Sequence, residues 1–176
     1  TKVTLEWTAS SDNVSRMDHY VIHITNARTG EPFRDYVVDK SQTTWTKDDM
    51  PAGEWYFVVG AVDRAGNEAQ SSSVGPIKID NLLPYSMNYT PEVGEVFYDN
   101  ISGDLYLKMH WADDLSGLSG VYFRYRIDSG SWSDWILASY NASGDYYYIV
   151  IDEETWKSAA GSCIYWESKA VDNAGN

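Results

Sequence analysis

Cysteine and basic residues are scarce in this chain of 176 residues. The single cysteine, Cys163, excludes an intrachain disulfide, and its apolar neighbours in SCIYW predict a buried small side chain. No apolar run reaches the ~18 residues of a membrane span. Lysine and arginine number 13 against 26 acidic residues, a net charge of −13. Because nucleic acids and anionic membranes attract basic surfaces, we expect neither a nucleic-acid partner nor membrane insertion.

Catalytic motifs are also absent from the sequence. It contains no nucleophile elbow, zinc-protease motif, P-loop or dinucleotide-binding loop. His19 and His23 lie four apart in a strand pattern, which gives two surface histidines on one side rather than a helical zinc site. Acidic residues are so numerous that carboxylate pairs carry no information about glycoside hydrolysis. We therefore predict that the chain is not an enzyme and has no cofactor beyond the calcium considered below.

Strand-forming residues dominate what remains. Aromatic residues make up 15% of the chain, and strict alternation of apolar residues in WYFVVGAVD and CIYWESKAVD is typical of half-buried strands. Turn residues recur every 8–12 positions, which predicts an all-β sandwich architecture. The stretch DEETWKSAAG at 152–161 is the exception. There Asp152 as N-cap and Gly161 as terminator predict one short helix.

One phrase occurs twice, as AVDRAGN at 61–67 and AVDNAGN at 170–176. Upstream of each copy lies an alternating strand ending near Trp7 or Trp111, then an acidic turn and a second strand. We therefore predict two tandem domains, 1–80 and 81–176, with Trp7 and Trp111 buried at equivalent positions. The stretch IDNLLPYS at 79–86 is the predicted linker. The strand pattern TKVTLEW at the start indicates a fragment of a longer protein.

The first copy resembles a prokaryotic fibronectin type III domain. The resemblance rests on VTLEWTASSDNV, DHYVIHI and TTWTKDDMPAGEWYFVVGAVDRAGNEAQSS, with Trp55 where the family has its corner tyrosine. The second copy resembles a related immunoglobulin-like module of surface proteins, through DDLSGLSGVYFRYRIDSGSWSDW and KAVDNAGN. The resemblance implies tandem sandwiches in which Gly66 and Gly175 take positive φ in the turn between strands F and G. It also implies that the first copy lacks its A strand and the second, with an A strand in PEVGEVFYD, lacks its G strand.

Two functions follow from the resemblance. The first is a non-catalytic structural, adhesion or assembly module of a longer extracellular or cell-surface protein, with neighbouring domains of the same chain as partners. The missing strands are expected to come from outside residues 1–176, either from adjoining segments of the longer chain or from a neighbouring subunit in a filament or lattice. The alternative is an accessory carbohydrate-binding region of a secreted glycoside hydrolase or protease.

The resemblance also places the B–C and F–G loops at the same end of each sandwich. Oxygen ligands from both loops could then hold calcium weakly, as in extracellular modules. The alternative is that these carboxylates fasten their own turns through Asx-type hydrogen bonds. The candidate ligands are Asp12, Asn13, Asp63, Asn67, Asp113, Asp114 and Asp172.

Aromatic side chains after the second strand of copy two offer a sugar-stacking surface, for which core packing is the alternative. The candidates are Trp132, Trp135, Tyr146, Tyr147 and Tyr148. The segment SWSDWI at 131–136 also echoes the cytokine-receptor Trp-Ser-x-Trp-Ser motif, but Ile136 replaces its last serine. Four sequons, more than the roughly one or two expected by chance, favour an extracellular location and glycosylation. They begin at Asn13, Asn88, Asn100 and Asn141.

Overall fold

A computed structural model describes residues 2–90, 103–159 and 161–176. The described chain is all-β, as expected, with antiparallel sheets and one short helix. It divides into two compact units, 1–81 and 82–176. Each unit is built from two sheets around its own apolar core.

The first unit contains seven strands in two sheets. In one sheet β1 pairs with β4, and in the other the order is β3-β2-β5, with β6 and β7 both lying along the far side of β5. Inward side chains from both sheets, such as Val3, Ile22 and Phe57, form one buried cluster. The strands are β1 (Lys2–Glu6), β2 (Met17–Asn26), β3 (Pro32–Asp39), β4 (Thr44–Asp48), β5 (Gly53–Asp63), β6 (Glu68–Gln70) and β7 (Val74–Ile79).

The second unit also has two sheets, ordered β12-β13-β9-β8 and β11-β10-β14. Leu107, Phe123 and Ile149 lie at the centre of their shared core. Helix α1 begins after Asp152, whose side chain accepts the Thr155 N–H as predicted. The elements are β8 (Tyr85–Thr90), β9 (Leu105–Ala112), β10 (Leu118–Ile127), β11 (Ile136–Leu137), β12 (Ser139–Asn141), β13 (Tyr146–Ile151), α1 (Glu153–Ser158) and β14 (Ile164–Asp172).

The structure corrects three sequence expectations. The linker is shorter than 79–86, because β7 runs to Ile79 and β8 begins at Tyr85. Trp7 and Trp111 are half-buried against their cores rather than fully buried. Cys163 is exposed rather than buried, because alternation along β14 turns Ile164 inward and its neighbours outward. The segment PEVGEVFYD, expected to form an A strand, lies outside the described residues.

The two units repeat one backbone pattern in detail. The pairing of β2 with β5 shifts register between Met17 and His19, and that of β10 with β14 shifts between Leu118 and Gly120. These positions are equivalent in the repeat. The residues just before the two second strands, Arg16 and Gly117, both have positive φ, at 68° and 75°. One difference between the units is that β5 is paired on both sides, whereas β14 pairs with β10 alone among the described residues.

Candidate functional site

The two repeated turns are held by the same hydrogen bonds. In the first, the Asp63 N–H donates to the Asn67 carbonyl at 3.0 Å, and the Asn67 N–H and side-chain amide donate to the Asp63 carboxylate at 2.8 and 2.9 Å. In the second, Asp172 and Asn176 repeat these three bonds at 3.2, 2.8 and 2.9 Å. Gly66 and Gly175 have φ of 87° and 91°, which confirms the prediction for both. The first turn directs the chain back along β5, the strand it has just left, and into β6.

The acidic loops that face these turns are also equivalent. The Asp12 carboxylate accepts N–H groups from Val14, Ser15 and Arg16, and Asp113 accepts those of Leu115 and Gly117. These bonds are Asx turns, which close the loop before the second strand of each unit.

Loop and turn carboxylates approach each other in both units, as the resemblance implied. The Ser15 hydroxyl lies 2.7 Å from Asp12 Oδ2 and 2.6 Å from Asp63 Oδ2. In the second unit, carboxylate oxygens of Asp113 and Asp172 lie within 4.8 Å. The Ser15 hydroxyl and the Asn67 donors hold the pKa of Asp63 at about 2. Burial raises the pKa of Asp172, but hydrogen bonds from Asn176 and from backbone N–H groups outweigh it and lower that pKa.

Four of the seven candidate calcium ligands accept hydrogen bonds that close their own loops or turns, namely Asp12, Asp63, Asp113 and Asp172. The Asn67 amide donates rather than coordinates, Asn13 is exposed, and Asp114 accepts the Tyr85 hydroxyl at 3.1 Å. Calcium binding stays a prediction. A rise in Tm on adding ~10 mM calcium, above the range of weak extracellular sites, and its loss in Asp113→Asn would support it.

Among the residues that the structure describes, the backbone of β14 is paired on one side only. On the β11 side of β10, the Val121 carbonyl accepts the Ala138 N–H and the Tyr125 carbonyl accepts the Ser133 N–H. The alternate residues of β10 therefore bond to β14, where they pair with Tyr165, Glu167 and Lys169. The N–H and C=O groups of the intervening β14 residues, Ile164, Ser168 and Ala170 among them, point away from β10.

Beside the open side of β14, core side chains of the second unit are more exposed than the equivalent side chains of the first unit. On β5 the inward residues Trp55 and Phe57 are 5% and 1% exposed, because β7 lies beside them and adds Ile79 to the core. The equivalent turn residues Asp63 and Asp172 lie 109 positions apart. Adding 109 to the numbers of Trp55 and Phe57 gives Ile164 and Trp166 as their equivalents on β14. Both of these side chains are only half-buried.

Trp132 and Trp135 are each held between two cations. The Arg124 guanidinium lies 4.7 Å from the Trp132 ring centre and 4.6 Å from that of Trp135. Arg126 lies 5.0 Å from Trp132, and the Lys169 ammonium lies 4.4 Å from Trp135. We call this row the cation–π ladder. A sugar could stack on either ring only by displacing a cation, so these tryptophans fit the packing alternative better than sugar stacking.

The three candidate tyrosines lie on opposite faces of β13. Tyr147 packs against the core, whereas Tyr146 and Tyr148 lie on the outer face with ring centres 5.9 Å apart. Tyr106 on β9, which sequence reasoning missed, extends this row at 5.8 Å from Tyr148. Lys108 lies over the rings of Tyr106 and Tyr146. The pairing of β9 with β13 sets this row, and no local sequence pattern reveals it.

The sequons differ in accessibility. Asn13 is exposed in its loop. The Asn141 side chain is engaged, since its oxygen accepts the Ser143 and Gly144 N–H groups and its amide donates to Tyr146. Asn88 lies in β8, and Asn100 falls outside the described residues. Glycosylation at the four asparagines stays a prediction.

His23 forms a cross-strand cluster that sequence reasoning missed. Its Nδ1 lies 2.9 Å from Asp35 on β3, and its Nε2 lies 2.7 Å from Glu68 on β6. Glu68 reaches the imidazole over Gly60, where a Cβ would collide with its carboxylate. Burial lowers the pKa of His23, but the hydrogen bonds and charges of Glu68 and Asp35 outweigh it and raise that pKa. His19, on the same side of β2, contacts Asp18.

Within the described residues, no helix is long and apolar enough to cross a membrane. No family model matches the chain, and no curated protein shows a significant match to it.

Proposed function

We propose that this chain is a non-catalytic structural module of a longer extracellular or cell-surface protein, and that it assembles through β-strand completion. The observation that carries the proposal is the open side of β14. That strand is nine residues long and pairs with one neighbour, while its equivalent in the first unit is covered by β6 and β7. A strand of this length with one side open is a template for pairing with another strand, which either the residues that follow Asn176 in a longer chain or a neighbouring molecule would supply.

The strand order supports tandem sandwiches of the fibronectin and immunoglobulin type. In the first unit, β1 to β5 follow the order B, C, C′, E and F, and β6 with β7 takes the place of G. In the second unit, β8, β9, β12 and β13 form an A-B-D-E sheet beside β10 and β14 as C and F. The Trp55 indole donates to the Pro51 carbonyl at 3.1 Å, a bond like that of the corner tyrosine in immunoglobulin folds.

The other sheet edges carry features that discourage pairing. Strands β11 and β12 have only two and three residues. Strand β3 begins at Pro32 and exposes Arg34 and Asp35, and β1 exposes Lys2 and Glu6. On β14 the exposed charges of Glu167 and Lys169 are held by Arg124 and by two aromatic rings. Among the edges of β1, β3, β11, β12 and β14, that of β14 is therefore the most favourable one for assembly.

Sedimentation of the purified chain over a range of concentrations tests the proposal. We expect reversible association that the Ser168→Pro variant abolishes, because proline removes an N–H that points away from β10 and leaves the β10–β14 bonds in place. The Ser168→Ala variant keeps that N–H and should associate like the wild type. Circular dichroism confirms that each variant folds.

A monodisperse monomer at every concentration would overturn the assembly proposal, as would equal association of the two Ser168 variants. The non-catalytic part has its own test. A substrate turnover that persists through purification and is lost in one point variant would contradict it.

Accessory carbohydrate binding is the second candidate, and the tyrosine row on the outer side of β9 and β13 favours it. Tyr148 offers an apolar ring face and a hydroxyl group there, beside Tyr106 and Tyr146, whose rings lie under Lys108. Retention of the wild type on insoluble polysaccharide, and its loss in Tyr148→Ala but not in Tyr147→Phe, would support this function.

A further inference from the structure

Charge is distributed unevenly in the second unit. Its described strands carry twice as many basic residues as acidic ones, on a chain whose net charge is −13. The acidic residues of these strands are Glu167 and Asp172, and Asp172 is buried in the repeated turn. The basic residues are Lys108, Arg124, Arg126 and Lys169. The outer surface of the described strands is therefore locally positive.

Three of these cations lie in one row on the outer face of the sheet β11-β10-β14. Strand pairing places Arg124, Arg126 and Lys169 on the same side of β10 and β14. In the cation–π ladder, each tryptophan ring centre lies within 5.0 Å of the cation on either side, so neighbouring cations are at most about 10 Å apart. The ladder thus presents positive charges at similar intervals.

Two of the three cations lack a carboxylate partner. Arg124 forms an ion pair with Glu167 at 2.7 Å. Within the described residues, neither Arg126 nor Lys169 forms an ion pair, and Arg126 Nε is shielded from solvent without a hydrogen-bond acceptor. A guanidinium with poor access to water gains more from an anion on its other N–H groups than a fully hydrated one does.

The aromatic rings prepare the cations for a ligand. The Arg126 guanidinium lies 5.0 Å from the Trp132 ring centre and 4.8 Å from that of Tyr165. A side chain that is already held between two rings loses less conformational entropy when it binds an anion. Tyr165 and Lys169 are exposed, so a ligand reaches this end of the row from solvent.

We infer that the cation–π ladder binds an acidic polysaccharide, whose carboxylate groups lie against Arg126 and Lys169. A chain of uronic acid residues repeats its anionic groups along an extended polymer, as the ladder repeats its cations. The apolar ring carbons of the sugars can also contact the exposed Tyr165 ring. This inference rests on the accessory carbohydrate-binding function, for which it specifies an anionic ligand and a second face of the unit.

The acidity of the whole chain does not prevent this binding. Charges are screened beyond about 8 Å at physiological ionic strength, so the carboxylates of distant loops act weakly on a ligand at the row. The carboxylates closest to the row in the sequence are Glu167 and Asp134, which lies between the two tryptophans. Because the contacts are charge pairs at the surface, the affinity should decrease as salt is added.

Polygalacturonate tests the site, with its fully methyl-esterified form as a neutral control that has the same backbone. Calorimetric titration measures the binding of each polymer to the whole chain, in calcium-free buffer and at two salt concentrations. We expect saturable, salt-sensitive binding of the acidic polymer and markedly weaker binding of the ester.

Substitutions of the two unpaired cations locate the binding. Arg126→Gln and Lys169→Gln should each lower the affinity for polygalacturonate about three- to fivefold, the effect of one exposed charge pair. Lys40→Gln makes the same charge change at an exposed position of the first unit and should leave the affinity unchanged. Arg126→Lys keeps the charge and should recover part of the loss. Circular dichroism confirms that each variant folds.

Two results would overturn the site. One is equal affinity of the wild type and both glutamine variants for polygalacturonate, and the other is equal affinity of the wild type for the acidic polymer and its ester. Poly-L-glutamate provides a further comparison. If it binds through Arg126 and Lys169 as tightly as polygalacturonate does, the row is a site for acidic polypeptides and the polysaccharide inference is refuted.

The outcome is separable from those of the two proposed functions. Retention on neutral polysaccharide that Tyr148→Ala abolishes, without binding of polygalacturonate, leaves carbohydrate binding standing and contradicts the ladder site. Binding of polygalacturonate that Lys169→Gln weakens and Tyr148→Ala does not supports the ladder. Self-association measured by sedimentation should be the same in Arg126→Gln as in the wild type, because Arg126 lies on β10, away from the open side of β14.

Discussion

Asp63 shows how single residues couple this fold to pH. The Ser15 hydroxyl and the Asn67 donors favour its ionised form, which holds its pKa at about 2. An unfolded aspartate titrates near pH 3.9. A group with a depressed folded pKa stabilises the protein above its unfolded pKa, and that stability is lost as pH falls through the folded pKa.

We therefore predict that the first unit loses stability between about pH 4 and pH 2. Asp63→Asn should lower Tm at neutral pH and flatten this acid dependence. The measurement is Tm against pH, with Asp18→Asn as an exposed control. An unchanged acid slope in Asp63→Asn would show that the turn carboxylate does not supply this stability.

His23 predicts a pH effect of opposite sign. A neutral imidazole donates through one nitrogen, so bonding to both Asp35 and Glu68 requires the protonated ring. Since its folded pKa is raised, its contribution is complete below the unfolded value near 6.5 and is lost as pH rises through the folded pKa.

The expected result is a decrease in Tm above about pH 6.5 that His23→Gln removes. NMR titration of the His23 ring measures its pKa directly, with Glu68→Gln as the variant that should lower it. A His23 pKa at or below the unfolded value would contradict the bridging geometry.

At the residue scale, the sequence predicted those conformations that depend only on residues adjacent in the chain. Gly66 and Gly175 have the positive φ that their turns require. The exposure of Cys163 could not be read in the same way, because SCIYW marks an apolar strand without showing on which face its alternation begins. The His23 cluster depends on three strands, so no local pattern could indicate it.

At the scale of elements, the cation–π ladder fastens the segment between β10 and β11. The sequence FRYR places Arg124 and Arg126 on one side of β10, and Trp132 inserts beside both. The Ser133 N–H donates to the Tyr125 carbonyl at 2.8 Å, which joins the same segment to the strand.

Trp132→Leu should therefore destabilise the second unit by about 1–2 kcal/mol, the sum of two exposed cation–π contacts. Denaturant unfolding measures this loss, and limited proteolysis should show faster cleavage at 128–135. Trp132→Tyr keeps a ring and should recover part of the loss. Equal stability of the leucine variant and the wild type would show that the ladder contributes nothing.

Element types were more predictable than element limits. Alternation indicated the all-β class, and Asp152 located the start of α1. Residues 68–79 form two strands, β6 and β7, along one neighbour, and sequence alternation did not show the break between them. The ladder was missed because its rings and cations come from three chain segments that only strand pairing brings together.

At the scale of the whole molecule, the two units share one repeated backbone pattern but differ in the pairing of β5 and β14. Each unit uses the same acidic loop, register shift and final turn. Strands β6 and β7 fill the path beside β5, whereas none of the described strands occupies the equivalent path beside β14. We attribute the proposed assembly to that difference, since the edge and the half-buried side chains beside it favour an added strand.

Residue-resolved hydrogen exchange along β14 tests this claim most directly. In dilute monomer, the amides of Glu167 and Lys169 should be protected by β10, while those of Ser168 and Ala170 should exchange rapidly. On association, the second pair should become protected as well. Equal protection of both pairs in the dilute monomer, or rapid exchange of Ser168 and Ala170 in the associated protein, would contradict strand acceptance at β14.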